Sequence, residues 1–264
     1  MRKKVGDNLQ CIKVDLSEKL QSIEIHTLAD LHIGDKHCDN KLIQERIRSI
    51  QDNENAYCIL NGDLMNNATK TSISDSYAEQ LTPMQQIGQA VDLLSPIKNK
   101  IIAIQSGNHE SRTYRKEGID LTEVMAREMG LGDKYSSTGS LIFVRFGWNE
   151  KRKRKQWYTV YAIHGSGGGR KEGAKAIRLA DMASIVDADI YIHSHTHLGM
   201  IMKQSFFRVD TSNSEARCVD KLFVNTGATL DYGGYGEAFE FKPSSKDTPV
   251  IYLSGTNKHF TAKL

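Results

Sequence analysis

Five short blocks of the sequence contain Asp, Asn and His side chains that are common metal ligands. In chain order they supply Asp30 and His32, then Asp63, Asn108, His164, and finally His195 and His197. Mixed imidazole and carboxylate ligands suit zinc, manganese or iron better than calcium, and the asparagine adds a neutral carbonyl oxygen. Asp63 can bridge two ions, because a carboxylate offers one oxygen to each. Two such ions, about 3.5 to 4 Å apart, neutralise phosphoryl charge and activate a water. The blocks therefore predict hydrolysis of a phosphate ester.

Most of these blocks closely follow apolar runs that predict strands, at residues 22–28, 56–60 and 101–105. Apolar spacing predicts a helix from Asp39 to Ile50, with Asp39 at its N-cap, and a largely helical stretch at 77–94 that contains Pro83. Strands that alternate with helices indicate an α/β fold. Because open α/β sheets bind ligands beyond their strand ends, the ligand blocks lie where a site is expected.

The second half of the chain is predicted to be richer in strands. Residues 140–146 and 157–163 form a predicted hairpin, followed by a helix at 173–184 and a strand at 189–193. The basic run at 151–155 is then a solvated hairpin tip, with contact to nucleic acid as the alternative. No repeat or long linker interrupts the chain, so a single domain over residues 1–264 is predicted.

Composition limits the class of protein. Lys and Arg number 35 against 32 Asp and Glu, and the net charge of +3 permits a nucleic-acid partner without requiring one. Four scattered cysteines without a CxxC pair indicate reduced thiols and a cytoplasmic location. No run of eighteen apolar residues exists, so neither a membrane partner nor a membrane span is expected.

Taken together and in this order, the blocks resemble the motifs of the calcineurin-like metallophosphoesterase superfamily: D-x-H, G-D, G-N-H-[DE], a lone H and G-H-x-H. Ser194 replaces the glycine of the last motif. The resemblance implies a four-layered α/β/β/α sandwich with two divalent metal ions, for which we expect manganese, with zinc or iron as alternatives. It also implies two ligand sets that share Asp63, namely Asp30, His32 and His197 for one ion and Asn108, His164 and His195 for the other.

The same resemblance makes His109 the residue that protonates the leaving group. Many family members orient this histidine with a carboxylate three residues after the bridging aspartate, and here that position is Asn66. An amide can accept a hydrogen bond from the ring but carries no charge to stabilise imidazolium. We therefore expect the pKa of His109 to be lower than it would be beside a carboxylate.

Two stretches resemble different branches of the superfamily. The run from His26 to Gly34 is similar to the first motif of the nuclease subunits of double-strand-break repair complexes. The run from Asn108 to Arg112 looks more like the protein Ser/Thr phosphatases, but their D-R-G is absent, since Met-Asn-Asn-Ala occupies residues 65–68. The best match is with nuclease-like members, of the sort found in phages and bacteria.

Cations after the third and fourth blocks bear on the substrate. Arg112 and Arg170 are candidate substrate-binding residues, and Arg170 follows a glycine-rich turn whose N–H groups could bind phosphate. A flexible turn beside a solvated helix face explains the cations after the fourth block equally well. The leading hypothesis is a phosphodiesterase that cleaves DNA or RNA, in which a metal-bound hydroxide attacks phosphorus and His109 assists the leaving group.

Two alternatives remain beside the nuclease hypothesis. The first is a phosphomonoesterase that acts on a phosphoprotein or a small phosphate ester. The second is a non-catalytic interaction scaffold, which the intact set of ligands disfavours. An ATPase partner is an open possibility for a nuclease of this kind.

Overall fold

The computed structural model describes residues 9–70, 72, 76–243 and 245–264. Within these residues the strands form two six-stranded sheets. The first sheet contains β1 (Gln10–Asp15), β6 (Gly139–Asn149), β7 (Arg154–Ile163), β8 (Ile190–His193), β9 (Met200–Asp210) and β10 (Glu215–Asn225). The second contains β2 (Ser22–Leu28), β3 (Ala56–Asn61), β4 (Ile101–Gln105), β5 (Tyr135–Ser136), β11 (Val250–Ser254) and β12 (Phe260–Lys263). Their strand orders are β1-β6-β7-β8-β10-β9 and β12-β11-β2-β3-β4-β5.

Helices cover the outer faces of both sheets. They are α1 (Asn40–Asp52), α2 (Pro83–Leu94), α3 (Ser111–Glu117), α4 (Leu121–Glu128), α5 (Glu172–Asp181) and the short α6 (Gly234–Ala238). Helices α1, α2 and α4 pack on the second sheet, and α5 packs on the first. An apolar core thus lies between each sheet and its helices, and a third apolar core fills the space between the sheets. The result is the four-layered α/β/β/α sandwich that the family resemblance implied.

The period-two alternation of strand side chains explains how the second sheet can bury both faces. In β3, Cys58 and Leu60 face the helices, whereas Ile59 faces the other sheet. All three side chains are fully buried, so this strand reads as a continuous apolar run. Strands β2, β3 and β4 run parallel, which brings their carboxyl ends to one edge of the sheet.

Several predicted elements are confirmed, and one helix begins later than the stretch predicted for it. Strands β2 and β4 have the predicted bounds, and the Asp39 side chain accepts a hydrogen bond from Leu42 N at 3.0 Å, as expected of an N-cap. The stretch at 77–94 is not helical throughout, because its helix begins only at Pro83. Thr82 and Gln85 form a capping box there, and proline suits the first turn because its missing N–H needs no partner.

Strand β1 and helix α3 were not predicted. The single domain over residues 1–264 stays a prediction, and residues 1–8 lie outside the described residues. No helix in the described ranges is long and apolar enough to cross a membrane.

Candidate metal centre

The seven predicted ligands converge at the carboxyl ends of parallel strands from both sheets. In the second sheet, Asp30 and His32 follow β2, Asp63 follows β3, and Asn108 follows β4. In the first sheet, β7 and β8 also run parallel; His164 follows β7, and His195 and His197 follow β8. Stacking the sheets places both sets of loops at one edge of the sandwich, so residues distant in sequence meet there.

Most of the predicted ligands have a backbone conformation that side chains rarely adopt. Their φ angles lie between 50 and 66°, in the left-handed region, for Asp30, His32, Asp63, His195 and His197. Such a conformation costs about 1 kcal/mol or more for a non-glycine residue and persists only where the surrounding structure enforces it. Its recurrence at five residues of one cluster indicates that the loops are shaped to aim these side chains inward.

Two glycines beside the ligands allow the loops to touch. A Cβ on Gly62 would lie 2.7 Å from the Cα of Gly107 and 2.8 Å from the His164 ring, and Gly62 also has a φ of +80°. A Cβ on Gly107 would overlap the Asp63 carboxylate. Larger residues at either position would therefore separate the β3 and β4 loops, which explains the Gly-Asp and Gly-Asn pairs in physical terms.

Asp63 is the centre of one half of the cluster. Its Oδ2 lies 3.1 Å from His164 Nε2 and 3.8 Å from His109 Nε2, while its Oδ1 accepts a hydrogen bond from His109 N at 2.8 Å. The Asn108 Oδ1 atom lies 3.0 Å from the same His164 nitrogen. An imidazole, an amide oxygen and a carboxylate oxygen thus face a common point.

Asp30 organises the other half. Its Oδ2 accepts hydrogen bonds from His195 N at 3.1 Å and Thr226 Oγ1 at 3.3 Å. Its buried Oδ1 lies 3.2 Å from His197 Nε2 but accepts no hydrogen bond from the described residues. His32 Nε2 and His197 Nε2 are 3.3 Å apart. A buried oxygen without a donor, beside two converging ring nitrogens, is an arrangement that a cation would satisfy.

Three groups of possible metal donors therefore interlock. Within each group the ligand atoms lie within 4.8 Å of one another. The first and second groups share His32, and the second and third share Asp63. In order, the groups are Asp30, His32 and His197; His32, Asp63 and His109; and Asp63, His164 and His195. Donors of this kind and number fit two adjacent divalent ions.

Hydrogen bonds on the far side of three rings fix which nitrogen faces the cluster. The Nδ1 atoms of His164 and His109 donate to the carbonyl oxygens of Asn61, at 2.8 Å, and of Asn66, at 2.7 Å. His32 Nδ1 lies 3.2 Å from Asn66 Oδ1. With the proton held at Nδ1, the Nε2 lone pair points inward, as it does in histidines that bind metals.

Burial and neighbouring charges set the protonation of the metal-free cluster. Burial lowers the pKa of His32 well below its ordinary value and that of His195 to about 4, helped by the nearby histidines. Burial would also lower the pKa of His164, but Asp63 and Asp30 outweigh it and raise that pKa to about 10. His164 and Asp63 therefore form an ion pair without metal, and a bound cation would displace the shared proton.

His109 has the lowered pKa that the sequence predicted, but the reason differs. Burial is the main cause of the lowered pKa of His109. The charge of Asp63 raises this pKa, and the charge of Arg112 lowers it further. The prediction that the Asn66 side chain partners His109 is wrong. The main-chain carbonyl of Asn66 accepts from His109, whereas its side chain turns to His32, because the residue lies between the two rings.

Carboxylates on the outer side hold Asn66 in that position. Its Nδ2 donates to Asp35 Oδ2 at 3.1 Å and also to Glu79 Oε1. Because the side-chain nitrogen of Asn66 is occupied in this way, the side-chain oxygen Oδ1 is left to accept from His32 Nδ1. Asn66 is thus a partner of a candidate ligand, a role that its sequence position did not suggest.

Glu110 is a further residue whose role the sequence did not reveal. It belongs to the third block, and its buried carboxylate accepts hydrogen bonds from the main-chain N–H groups of Asp63, Met65 and Gly107. Burial and the charge of Asp63 raise the pKa of Glu110 to about 7. This side chain ties the β3 loop to the β4 loop.

The two candidate substrate-binding arginines have different surroundings. Arg112 is half-buried, and its Nη1 donates to the carbonyl oxygens of Asn66 at 3.3 Å and Asn67 at 3.5 Å, beside His109. Arg170 lies over the ring of Phe241, with 5.3 Å between the guanidinium carbon and the ring centre. Substrate contact by either one stays a prediction.

Ser194 accommodates the one departure from the family's ligand motifs. Its hydroxyl accepts a hydrogen bond from Asn61 Nδ2 at 2.7 Å, and the side chain is fully buried. The serine therefore adds a contact between the β3 and β8 ends without displacing His195.

Several solved structures are similar to this chain. They include vacuolar protein sorting 29 from Cryptosporidium parvum, with 13% identity over 92% of this chain and 97% of that one and a TM-score of 0.44. A metallophosphoesterase from Sphaerobacter thermophilus has 11% identity, coverage of 88% and 84%, and a TM-score of 0.39. The nuclease MPE of Pseudomonas putida has 10% identity, coverage of 90% and 87%, and a TM-score of 0.37. Among curated proteins, none matches the chain in sequence.

A family model provides the assignment. The calcineurin-like phosphoesterase model matches residues 29–199, a range that begins one residue before Asp30 and ends two residues after His197. It therefore covers all five ligand blocks and three strands of each sheet. The chain belongs to the calcineurin-like phosphoesterase family and is a metal-dependent phosphoesterase.

Proposed function

We propose that this phosphoesterase is a phosphodiesterase of the nuclease type, acting on DNA or RNA. The observation that carries its chemistry is the set of donor groups that interlock through His32 and Asp63. We assign one divalent ion to Asp30, His32, His197 and Asp63, and the other to Asn108, His164, His195 and Asp63. Bound there, the ions would neutralise charge on the phosphoryl oxygens and lower the pKa of a water molecule.

His109 is the residue that we assign to the leaving oxygen. Its Nδ1–H is held by the Asn66 carbonyl, so Nε2, the atom that faces the cluster, is the one that would carry the second proton when the ring is protonated. Because burial lowers the pKa of this ring, the Nε2 proton is readily released to an oxygen that is gaining charge. We assign Arg112, which lies beside the same carbonyl, to a phosphoryl oxygen of the substrate.

The preference for a polynucleotide rests on helix α3, which begins directly after Glu110. This helix carries Arg112, Arg115 and Lys116, and its Tyr114 side chain is 56% exposed. Phosphates that flank the scissile bond could pair with these cations, and an exposed tyrosine ring can stack on a base. A small monoester has no second phosphate to use them.

A substrate panel tests the proposal. Protein loaded separately with manganese, zinc or iron is incubated with bis(p-nitrophenyl) phosphate, p-nitrophenyl phosphate, and single- and double-stranded DNA and RNA. The nuclease assignment predicts cleavage of the diester and of a polynucleotide, with loss of both in Asp63→Ala. An Arg115→Gln variant should weaken polynucleotide cleavage while leaving the small diester unaffected.

Other outcomes would contradict the proposal. Preference for the monoester would indicate a phosphomonoesterase, and inactivity with all three metals would indicate an interaction scaffold. Activity that survives Asp63→Ala would show that the hydrolysis does not depend on the shared carboxylate.

A further inference from the structure

A gap in the first sheet lies far from the metal centre. Strand β8 has four residues, whereas its neighbours β7 and β10 have ten and eleven. It pairs only with Val160–Ile163 of β7 and Leu222–Asn225 of β10. The preceding halves of β7 and β10 therefore have no strand between them, and we call the resulting space the β7–β10 cleft.

The cleft is large and separate from the candidate metal centre. It forms a cavity of about 780 Å³ between the β6–β7 and β9–β10 hairpins, and residues of the β11–β12 turn also line it. Trp157 in the cleft lies seven positions before His164, which corresponds to about 23 Å along an extended strand. Nothing bound in the cleft would touch the metal ligands directly.

The main chain of both walls is turned toward the cleft. At its inner end Asp189 closes the sheet, since its N–H donates to Thr159 O at 3.1 Å and its C=O accepts from Leu222 N at 3.0 Å. Strand geometry repeats every two residues, so Trp157 and Asp220 direct their main-chain groups to the same side. Lys258 Nζ donates to Trp157 O and pairs with Asp189, so a strand that pairs with Trp157 would take the place of this lysine.

At the point where β8 begins, the spacing of β7 and β10 suits one extended chain. Strands in a sheet lie about 4.8 Å apart, so two strands that flank a missing one are separated by about 9.6 Å at the point where β8 begins. A single strand placed there would continue the line of β8 and could pair with both walls. Main-chain pairing of this kind is an established mode of peptide recognition.

The charges around the cleft favour an acidic ligand. Its described lining residues include seven Lys and Arg side chains but three Asp. Arg152 and Arg154 form no ion pair among the residues that the structure describes, and Lys203 is held by Asp220 at 3.3 Å on the surface. Surface ion pairs contribute little stability, so such a lysine can exchange its partner for a carboxylate of the ligand.

Open main-chain edges and aliphatic side chains favour a peptide over a polynucleotide here. Val209 is 72% exposed, and Val219 also lines the cleft, beside the aromatic rings of Trp157 and Phe260. A peptide can pair with the main chain of both walls and pack on the valines, whereas bases would stack only on the two aromatic rings. We infer that the β7–β10 cleft binds an extended segment of a partner protein in which acidic and apolar residues alternate, and that this segment adds a strand between β7 and β10.

Cysteine footprinting tests the inference on the unaltered full-length chain. Cys218 is an exposed free thiol that lines the cleft, and Cys11 is an exposed free thiol on β1, at the opposite edge of the sheet. A peptide of about eight alternating Glu and Val residues, a normal strand length, is added before alkylation. We expect alkylation of Cys218 to slow about tenfold or more at saturation, while that of Cys11 is unchanged.

Matched peptides and variants separate the contributions of backbone and charge. The same peptide with N-methyl groups on alternate residues keeps its charge but cannot pair with a strand edge, so it should lose the protection. The variant Arg152→Glu/Arg154→Glu should weaken binding of the acidic peptide about tenfold. The control Lys41→Glu/Arg48→Glu makes the same charge change at exposed positions on α1 and should bind normally.

Three results would overturn the inference. The first is the absence of Cys218 protection at millimolar concentrations of the acidic peptide. The second is equal protection by the N-methylated peptide, which would reduce the effect to charge alone. The third is stronger protection by an oligothymidylate of equal charge, which would indicate a polynucleotide site. None of these results depends on catalytic activity or on bound metal.

Discussion

Replacing Glu110 with alanine should destabilise the protein more than any comparable change of an exposed residue. The carboxylate accepts main-chain hydrogen bonds from Asp63 at 3.1 Å, Met65 at 3.0 Å and Gly107 at 3.0 Å. A buried N–H left without an acceptor costs about 1 to 3 kcal/mol, so three of them cost about 3 to 9 kcal/mol. Removing a buried carboxylate also removes the cost of burying it, which favours the lower end, about 3 kcal/mol.

Glu110→Gln provides the matched comparison. The amide keeps one acceptor oxygen but places an N–H group opposite a main-chain N–H, for an expected cost of about 1 to 3 kcal/mol. Because total stabilities are about 5 to 15 kcal/mol, a loss of about 3 kcal/mol leaves about 2 to 12 kcal/mol, so both variants should remain folded without denaturant.

Urea unfolding of the metal-free proteins measures both costs, and calorimetric titration of manganese into the same samples measures affinity. We expect both variants to bind metal about 10 to 100 times more weakly, since Asp63 and Asn108 lose their shared support. An alanine variant destabilised by less than about 1 kcal/mol would refute the idea that Glu110 ties these loops together.

Three further predictions follow from individual contacts. Asn66→Ala should weaken metal binding about 10- to 100-fold in a calorimetric titration, because His32 loses the acceptor at its Nδ1, whereas Asn66→Asp should retain most of the affinity. His109→Ala should slow hydrolysis of a diester with a poor leaving group about 10²- to 10⁴-fold, and a p-nitrophenyl diester much less. Hydrogen bonds from Arg145 and Lys155 lower the pKa of Asp15 to about 2. The contribution of Asp15 to folding stability is therefore complete above pH 3.8 and is lost as the pH falls through 2. An NMR titration of the Asp15 carboxyl with a midpoint near 3.8 would contradict this.

The sequence predicted those parts of the fold that depend on local patterns. Apolar runs located β3 and β4, because strands buried on both faces must be apolar on both, whereas β2 alternates buried apolar residues with more exposed polar ones. Helix α2 was predicted to begin too early, since the polar stretch before Pro83 has some helical spacing but proline and Thr82 set the start. Strand β1 escaped prediction because its exposed, polar residues are held by pairing with β6 rather than by their own pattern.

The candidate ligands could be identified from residue type and order, but their partners could not. Contacts such as Asn66 with His32 and Glu110 with the β3 loop join residues that are 34 and 47 positions apart. No local rule links such positions. The Asn66 side chain faces His32 because its amide nitrogen donates to Asp35 and Glu79 on the outer side. The β7–β10 cleft was equally hidden, because it follows from the unequal lengths of three strands.

The central claim is that two metal ions share Asp63, and electron paramagnetic resonance of the manganese-loaded protein tests it most directly. Two ions about 3.5 to 4 Å apart and joined by a carboxylate are magnetically coupled. We predict two manganese ions per chain with a coupled signal, and loss of that coupling in Asp63→Ala. A single bound ion, or two ions whose signals remain uncoupled in the unaltered protein, would contradict the account.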